Sequence, residues 1–124
     1  MILLFVLAMA ATNSPTSCES PETQTGMNIC ASQDAQQADK LLNKQWSITV
    51  KALKAADVEN EEKPTEFETA LEAQRAWLKY RKAHCTGVAF YARGGSMESM
   101  LYGQCYVGLT NERTKQLHEL IRTN

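Results

Sequence analysis

Small and apolar side chains in this chain recur at steps of three and four, and nowhere do they alternate at the period of two that a half-buried strand needs. Met27, Cys30, Ala31, Ala35, Ala38, Leu42, Trp46, Thr49 and Leu53 trace one helical face and predict a first helix from about residue 27 to Ala56. The acidic stretch Asp57–Pro64 then reads as a solvated loop. Thr65 with Glu68 three residues on has the form of a capping box, so a second helix is expected from Glu66 to about Cys85, with Gly87 as a stop signal. Beyond Arg93-Gly94-Gly95, Ser96 is placed to cap a third helix carrying Met97, Leu101, Cys105, Leu109, Leu117, Leu120 and Ile121 on one face, with Gly108 placed to kink or re-cap it. The expected class is all-α, a small bundle of three main helices.

The N-terminal run MILLFVLAMA has ten residues without a charge and ends in the small-x-small form Ala8-Met9-Ala10. It is too short to span a bilayer, which takes about 20 apolar residues, and is expected to be a signal peptide over residues 1–10. No basic residue precedes it, as one would in a complete leader. Residues 11–26 are dominated by Ser, Thr, Pro and Glu and are expected to form a mobile lead-in tethered by Cys18, followed by a helical domain over residues 27–124.

Export determines how Cys18, Cys30, Cys85 and Cys105 are read. They include no C-x-x-C pair and no neighbouring histidine cluster, so no metal site is expected, and in an oxidising compartment they imply two disulfides. Three pairings are open. Cys30 with Cys85 and Cys18 with Cys105 is favoured, because levelling Cys30 with Cys85 in an antiparallel pair also brings Asp34 opposite Arg81. A short connector would instead level Cys85 with Cys105 and leave Cys18 to reach Cys30.

The block AQRAWLKYRKAHC, residues 73–85, places Gln74 and Arg81 in the same stripe as Leu71, Leu78 and Cys85. A buried guanidinium is tolerated only when paired. The stripe is therefore read as a structural polar network of Asp34, Gln74, Trp77 and Arg81, in which Gln74 bonds to the third helix.

Catalytic groups are not evident. His84 adjoins Cys85 but points about 100° away from it on a helix, and His118 complements a helix C-terminus. The acids at 59, 61 and 62 sit on a loop with nothing to raise a pKa, and there is no phosphate loop or H-E-x-x-H motif. Neither catalysis nor a cofactor is expected. With 13 basic and 14 acidic residues, no net field favours nucleic acid.

The order Met27-Asn28-x-Cys30, Leu42-Asn43-x-x-Trp46, Ala73-Gln74-x-x-Trp77-Leu78-x-x-Arg81-x-x-x-Cys85, Gly94-Gly95-Ser96, Cys105 and Leu109-Thr110-x-x-Arg113 resembles the LprI family of bacterial exported proteins, named for a lysozyme inhibitor. Trp46 stands where that family usually has Tyr. The resemblance covers about residues 18–122 and implies a helical, disulfide-bonded periplasmic or secreted protein of the bacterial envelope that binds a lysozyme or a related peptidoglycan hydrolase. An immunity protein against a cell-wall-targeting toxin and a structural envelope or assembly factor are the alternatives.

Two surfaces are candidates for the partner. Seven acids lie between Asp57 and Glu72 against one base, and Asp57, Glu59, Glu61 and Glu62 would steer a basic partner; the plain alternative is a solvated loop. The loop Tyr91-Ala92-Arg93-Gly94-Gly95-Ser96 offers an aromatic, an arginine and two glycines for entering a cleft, and Tyr91, Arg93, Gly94, Gly95 and Ser96 are its candidate contacts; the alternative is a plain helix connector.

Overall fold

The computed structural model describes Cys18 and residues 20–121. The expected signal peptide and most of the lead-in lie outside the described residues. Three helices carry the fold: α1 (Gln24–Asp57), α2 (Glu66–Val88) and α3 (Glu98–Glu119), with a 3-10 turn at Phe90–Ala92 between the last two. No strand occurs among the described residues. The class is all-α, as the periodicity predicts.

Helix ends follow local chemistry. The Thr23 hydroxyl accepts from the Gly26 amide at 3.0 Å, so α1 begins at Gln24, inside the segment expected to be lead-in. At α2 the capping box forms in full: the Glu68 amide donates to Thr65 Oγ1 (3.1 Å) and the Thr65 amide to Glu68 Oε2 (3.0 Å). The backbone bond holds the Glu68 carboxyl below its usual range. Ser96 does not cap α3. Met97 occupies that position in helical geometry, while the Ser96 carbonyl accepts from Asn28 Nδ2 of α1. α2 ends at Val88, one residue past Gly87, while Gly108 does not interrupt α3, where a lone helical glycine costs only about 1 kcal/mol.

α1 and α3 run parallel in a constant register. Asn28 meets Ser96, Asp39 meets Tyr106 and Thr49 meets Leu117, offsets of 68, 67 and 68 residues. α2 lies antiparallel to both, with Arg81 reaching Asp39 on one side and Thr110 on the other. The buried face of α3 runs through Gly103, Thr110 and Leu117, and Met97 and Leu120, expected inside, are exposed. A reading based on large apolar residues misses this face because its inner positions are partly small and polar. A Cβ on Gly103 would stand 3.0 Å from Ala31 Cβ and 3.2 Å from the Ala31 carbonyl oxygen, so this contact between α1 and α3 depends on the missing side chain.

Alanines at 31, 38, 70 and 89 join Leu42, Leu53, Met100 and Leu117 in the core. Thr49 is fully buried, and its hydroxyl donates to the Leu117 carbonyl at 2.9 Å. That bond satisfies both groups where an unpaired hydroxyl would cost roughly 1–3 kcal/mol.

The disulfides are Cys18–Cys30 and Cys85–Cys105. The favoured pairing of Cys30 with Cys85 is therefore corrected. With Arg81 level with Asp39 in the antiparallel pair, the residue of α1 opposite Cys85 is Ala35, nearly a turn and a half beyond Cys30, or about 7.5 Å along the axis. Cys85 faces α3 instead, and Cys18 folds back beside the first turns of α1.

Candidate functional site

The buried face of α2 is Ala70, Gln74, Arg81 and Cys85, at spacings of four, seven and four, while Leu78 faces outward at 42% exposure. Two polar residues of the AQRAWLKYRKAHC block, Gln74 and Arg81, are thus turned inward while Leu78 is not. Arg81 donates through Nη1 to Asp39 Oδ1 (2.9 Å) and to Thr110 Oγ1 (3.0 Å). Its guanidinium carbon lies 3.8 Å from the Tyr106 ring centroid and 4.7 Å from that of Trp77. The Tyr106 hydroxyl donates to the other Asp39 oxygen at 2.7 Å, so one carboxylate serves two helices. Burial, and then that bond to Asp39, push the Tyr106 hydroxyl up to about 12.

Gln74 meets the third helix as expected: Arg113 Nε donates to Gln74 Oε1 at 2.9 Å. Burial holds the Arg113 guanidinium below its usual range. The expected ion pair is corrected. Asp34 is exposed, and the partner of Arg81 is Asp39, five residues later and about 140° around the helix. Asp39, Tyr106, Thr110 and Arg113 were absent from the expected network. Thr110 and Arg113 lay within the quoted motif, three apart on a helix, and that spacing was the available signal.

One end of the bundle gathers the start of α1, the end of α2, the 3-10 turn and the start of α3. Here Tyr91 is 77% exposed and Phe90 59%, the Arg93 guanidinium lies 5.5 Å from the Phe90 ring centroid, and Gly94, Gly95 and Ser96 are exposed. The loop is held closed by Gly95 N to Ala92 O (2.8 Å), Gly94 N to Glu98 Oε2, and Asn28 Nδ2 to Ser96 O (2.9 Å). Gly94 has φ 78°, which suits glycine and little else. The Cys85–Cys105 bridge ties the last turn of α2 to α3 about two turns from the loop. An exposed tyrosine on so constrained a loop loses little freedom when a partner covers it.

The opposite end carries the acids. Glu59, Glu61 and Glu62 are exposed in the loop. Asp57 differs from them, because its two carboxylate oxygens accept from the Glu66 and Phe67 amides at 2.9 and 3.0 Å and so close the start of α2. Lys54 covers the Phe67 ring at 4.5 Å. Along α2 the acids Glu66, Glu68 and Glu72 precede Arg75, Lys79 and Lys82, the order that the helix dipole favours by itself. His84 stacks on Tyr80, with ring centroids 5.2 Å apart, on the exposed side of α2. Among the described residues no group of His, Cys, Asp and Glu could hold a metal ion, and no helix is long and apolar enough to cross a membrane.

The chain is 41% identical to an uncharacterized protein of Rhizobium meliloti (strain 1021), over 98% of this chain and 91% of that protein. No solved structure matches it. The family model described as lysozyme inhibitor LprI matches residues 16–117, a span that contains both disulfides, the Arg81 network and the tip loop. By that match over most of its length, the chain belongs to the LprI family.

Proposed function

We propose that this chain is an exported, non-catalytic binding protein that inhibits a lysozyme or a related peptidoglycan hydrolase by occluding its cleft. The observation that carries this reading, beyond the family's description as lysozyme inhibitor, is the tip: an exposed tyrosine and an arginine on a loop pinned by three hydrogen bonds. Tyr and Arg are the residue types that most often dominate binding energy at protein interfaces. A narrow end of a helical bundle has the shape to enter a concave site, and inhibition is then steric, without turnover.

Export is supported by the two disulfides, which persist in an oxidising envelope, and by the apolar run at residues 1–10, which we assign as the leader. Residues 11–23 then link the cleavage point to α1. Glu59, Glu61 and Glu62, at the far end from the tip, act at longer range by orienting the inhibitor in the field of a basic enzyme. Purified mature protein added to a basic lysozyme acting on bacterial cell walls tests the proposal. Inhibition that saturates at a one-to-one ratio is expected, and unchanged lysis at micromolar excess refutes it.

A further inference from the structure

Beside the tip loop lies a groove of about 900 Å³ between the first turns of α1 and α3, within the range of roughly 300–1,000 Å³ typical of small-molecule sites. Three rings line it, Phe90, Tyr102 and Tyr106, so its walls carry flat apolar faces. Asn28, Ser32, Thr86 and Ser99 also line it; the Asn28 amide is engaged by Gln24 and the Ser96 carbonyl and the Thr86 hydroxyl donates to the Lys82 carbonyl, so Ser32 and Ser99 offer the hydroxyls. Tyr102 and Tyr106 are tilted against each other at 37° with centroids 6.2 Å apart. Tyr106 is held rigidly from behind, by Arg81 on its face and Asp39 on its hydroxyl, so the buried network sets one wall of the groove.

This lining selects against most ligand classes. Arg93 is the one cation among the lining residues and lies over the Phe90 ring, and the lining also holds the acid Glu98, which does not suit a phosphate or another strong anion. Helices and a 3-10 turn present no strand edge on which an extended peptide could pair. An acyl chain would cover the Ser32 and Ser99 hydroxyls without offering them a partner. A sugar ring fits both parts: its C–H face packs on an aromatic ring while its equatorial hydroxyls exchange hydrogen bonds with Ser32 and Ser99.

We propose that the groove is a saccharide-binding site for an uncharged oligosaccharide, with Phe90 and Tyr102 as stacking platforms and Ser32 and Ser99 as hydrogen-bonding partners. This function is separate from hydrolase inhibition. The groove shares Arg93, Gly94, Gly95 and Ser96 with the tip loop, and of the loop's candidate contacts only Tyr91 lies outside it.

The test is a titration of the full mature protein with the trimer of N-acetylglucosamine, followed by amide chemical shifts, with no hydrolase present. Saturable shifts at Ser32, Ser99 and Tyr102 are expected in the millimolar range or below. Removing one ring in Phe90→Ala or Tyr102→Ala weakens binding about tenfold, the worth of a lost aromatic contact, with the helical circular dichroism unchanged. Absence of saturable shifts at millimolar sugar overturns the proposal, and so does binding that survives both substitutions. A third overturning result is Ser99→Trp abolishing hydrolase inhibition while the unsubstituted protein shows no sugar binding, which makes the groove a protein-docking surface. Failure of the lysis assay alone leaves the sugar titration intact, because the two experiments share no component but the protein.

Discussion

Asp39→Ala removes the carboxylate that joins α1 to both other helices. Breaking a buried ion pair costs roughly 3–5 kcal/mol, because the remaining charge is stranded. Two features reduce that figure here. The Asp39 side chain is 38% exposed, so water enters behind it, and Arg81 keeps the Thr110 hydroxyl and two aromatic faces. Tyr106 meanwhile loses its acceptor, worth about 1 kcal/mol. The expected net loss is about 2 kcal/mol. Urea unfolding followed by circular dichroism, with the disulfides intact, reads it directly: at a slope of about 1.5 kcal/mol/M the midpoint falls by roughly 1–1.5 M. Asp34→Ala is the matched control and stays within about 0.5 kcal/mol. If Asp39→Ala costs less than that, or Asp34→Ala costs as much as Asp39→Ala, the register of α1 against α2 is wrong.

Gly103→Ala forces α1 and α3 apart at Ala31 and should cost about 1–3 kcal/mol, whereas Gly108→Ala, which meets nothing within 4 Å, should stabilise by about 1 kcal/mol in the same urea assay. Absorbance titration of tyrosinate should show one of the four tyrosines ionising near 12, and Asp39→Asn should bring it down toward the ordinary value. Because the folded-state value is raised, the contribution of Tyr106 to stability is complete below about pH 10 and is lost as the pH rises through about 12. Mass spectrometry of non-reduced peptides should find Cys18 with Cys30 and Cys85 with Cys105, and replacing Cys85 and Cys105 by alanine should lower stability by about 3 kcal/mol.

Helix existence was legible because it depends on spacing and punctuation. The capping box at Thr65 and the breaks around residues 57–65 and 89–97 needed nothing beyond neighbours in the chain. The inward position of Gln74 and Arg81 was also legible, since burying them beside Cys85 follows from helical spacing. Their partners were not. Asp34 and Asp39 are both acids on α1, and choosing between them requires the axial offset of α1 against α2, which tertiary packing sets and no local signal reveals. The disulfide pairing went wrong through the same offset. Asp57 read as a free acid because its amide partners at Glu66 and Phe67 come together only when the loop closes. The tip loop was visible as residues, but its rigidity rests on Asn28, which is 68 residues away from Ser96.

Inhibition constants against one basic lysozyme, for the unsubstituted protein, for Tyr91→Ala with Arg93→Ala, and for Glu59→Gln with Glu61→Gln and Glu62→Gln, test the central claim most directly. The tip variant should lose inhibition by about tenfold or more at an unchanged melting temperature, since both side chains are exposed. The acidic-loop variant should only slow association, and only at low salt. Full inhibition by the tip variant, together with its loss in the acidic-loop variant, would place recognition at the wrong end of the bundle and contradict the account.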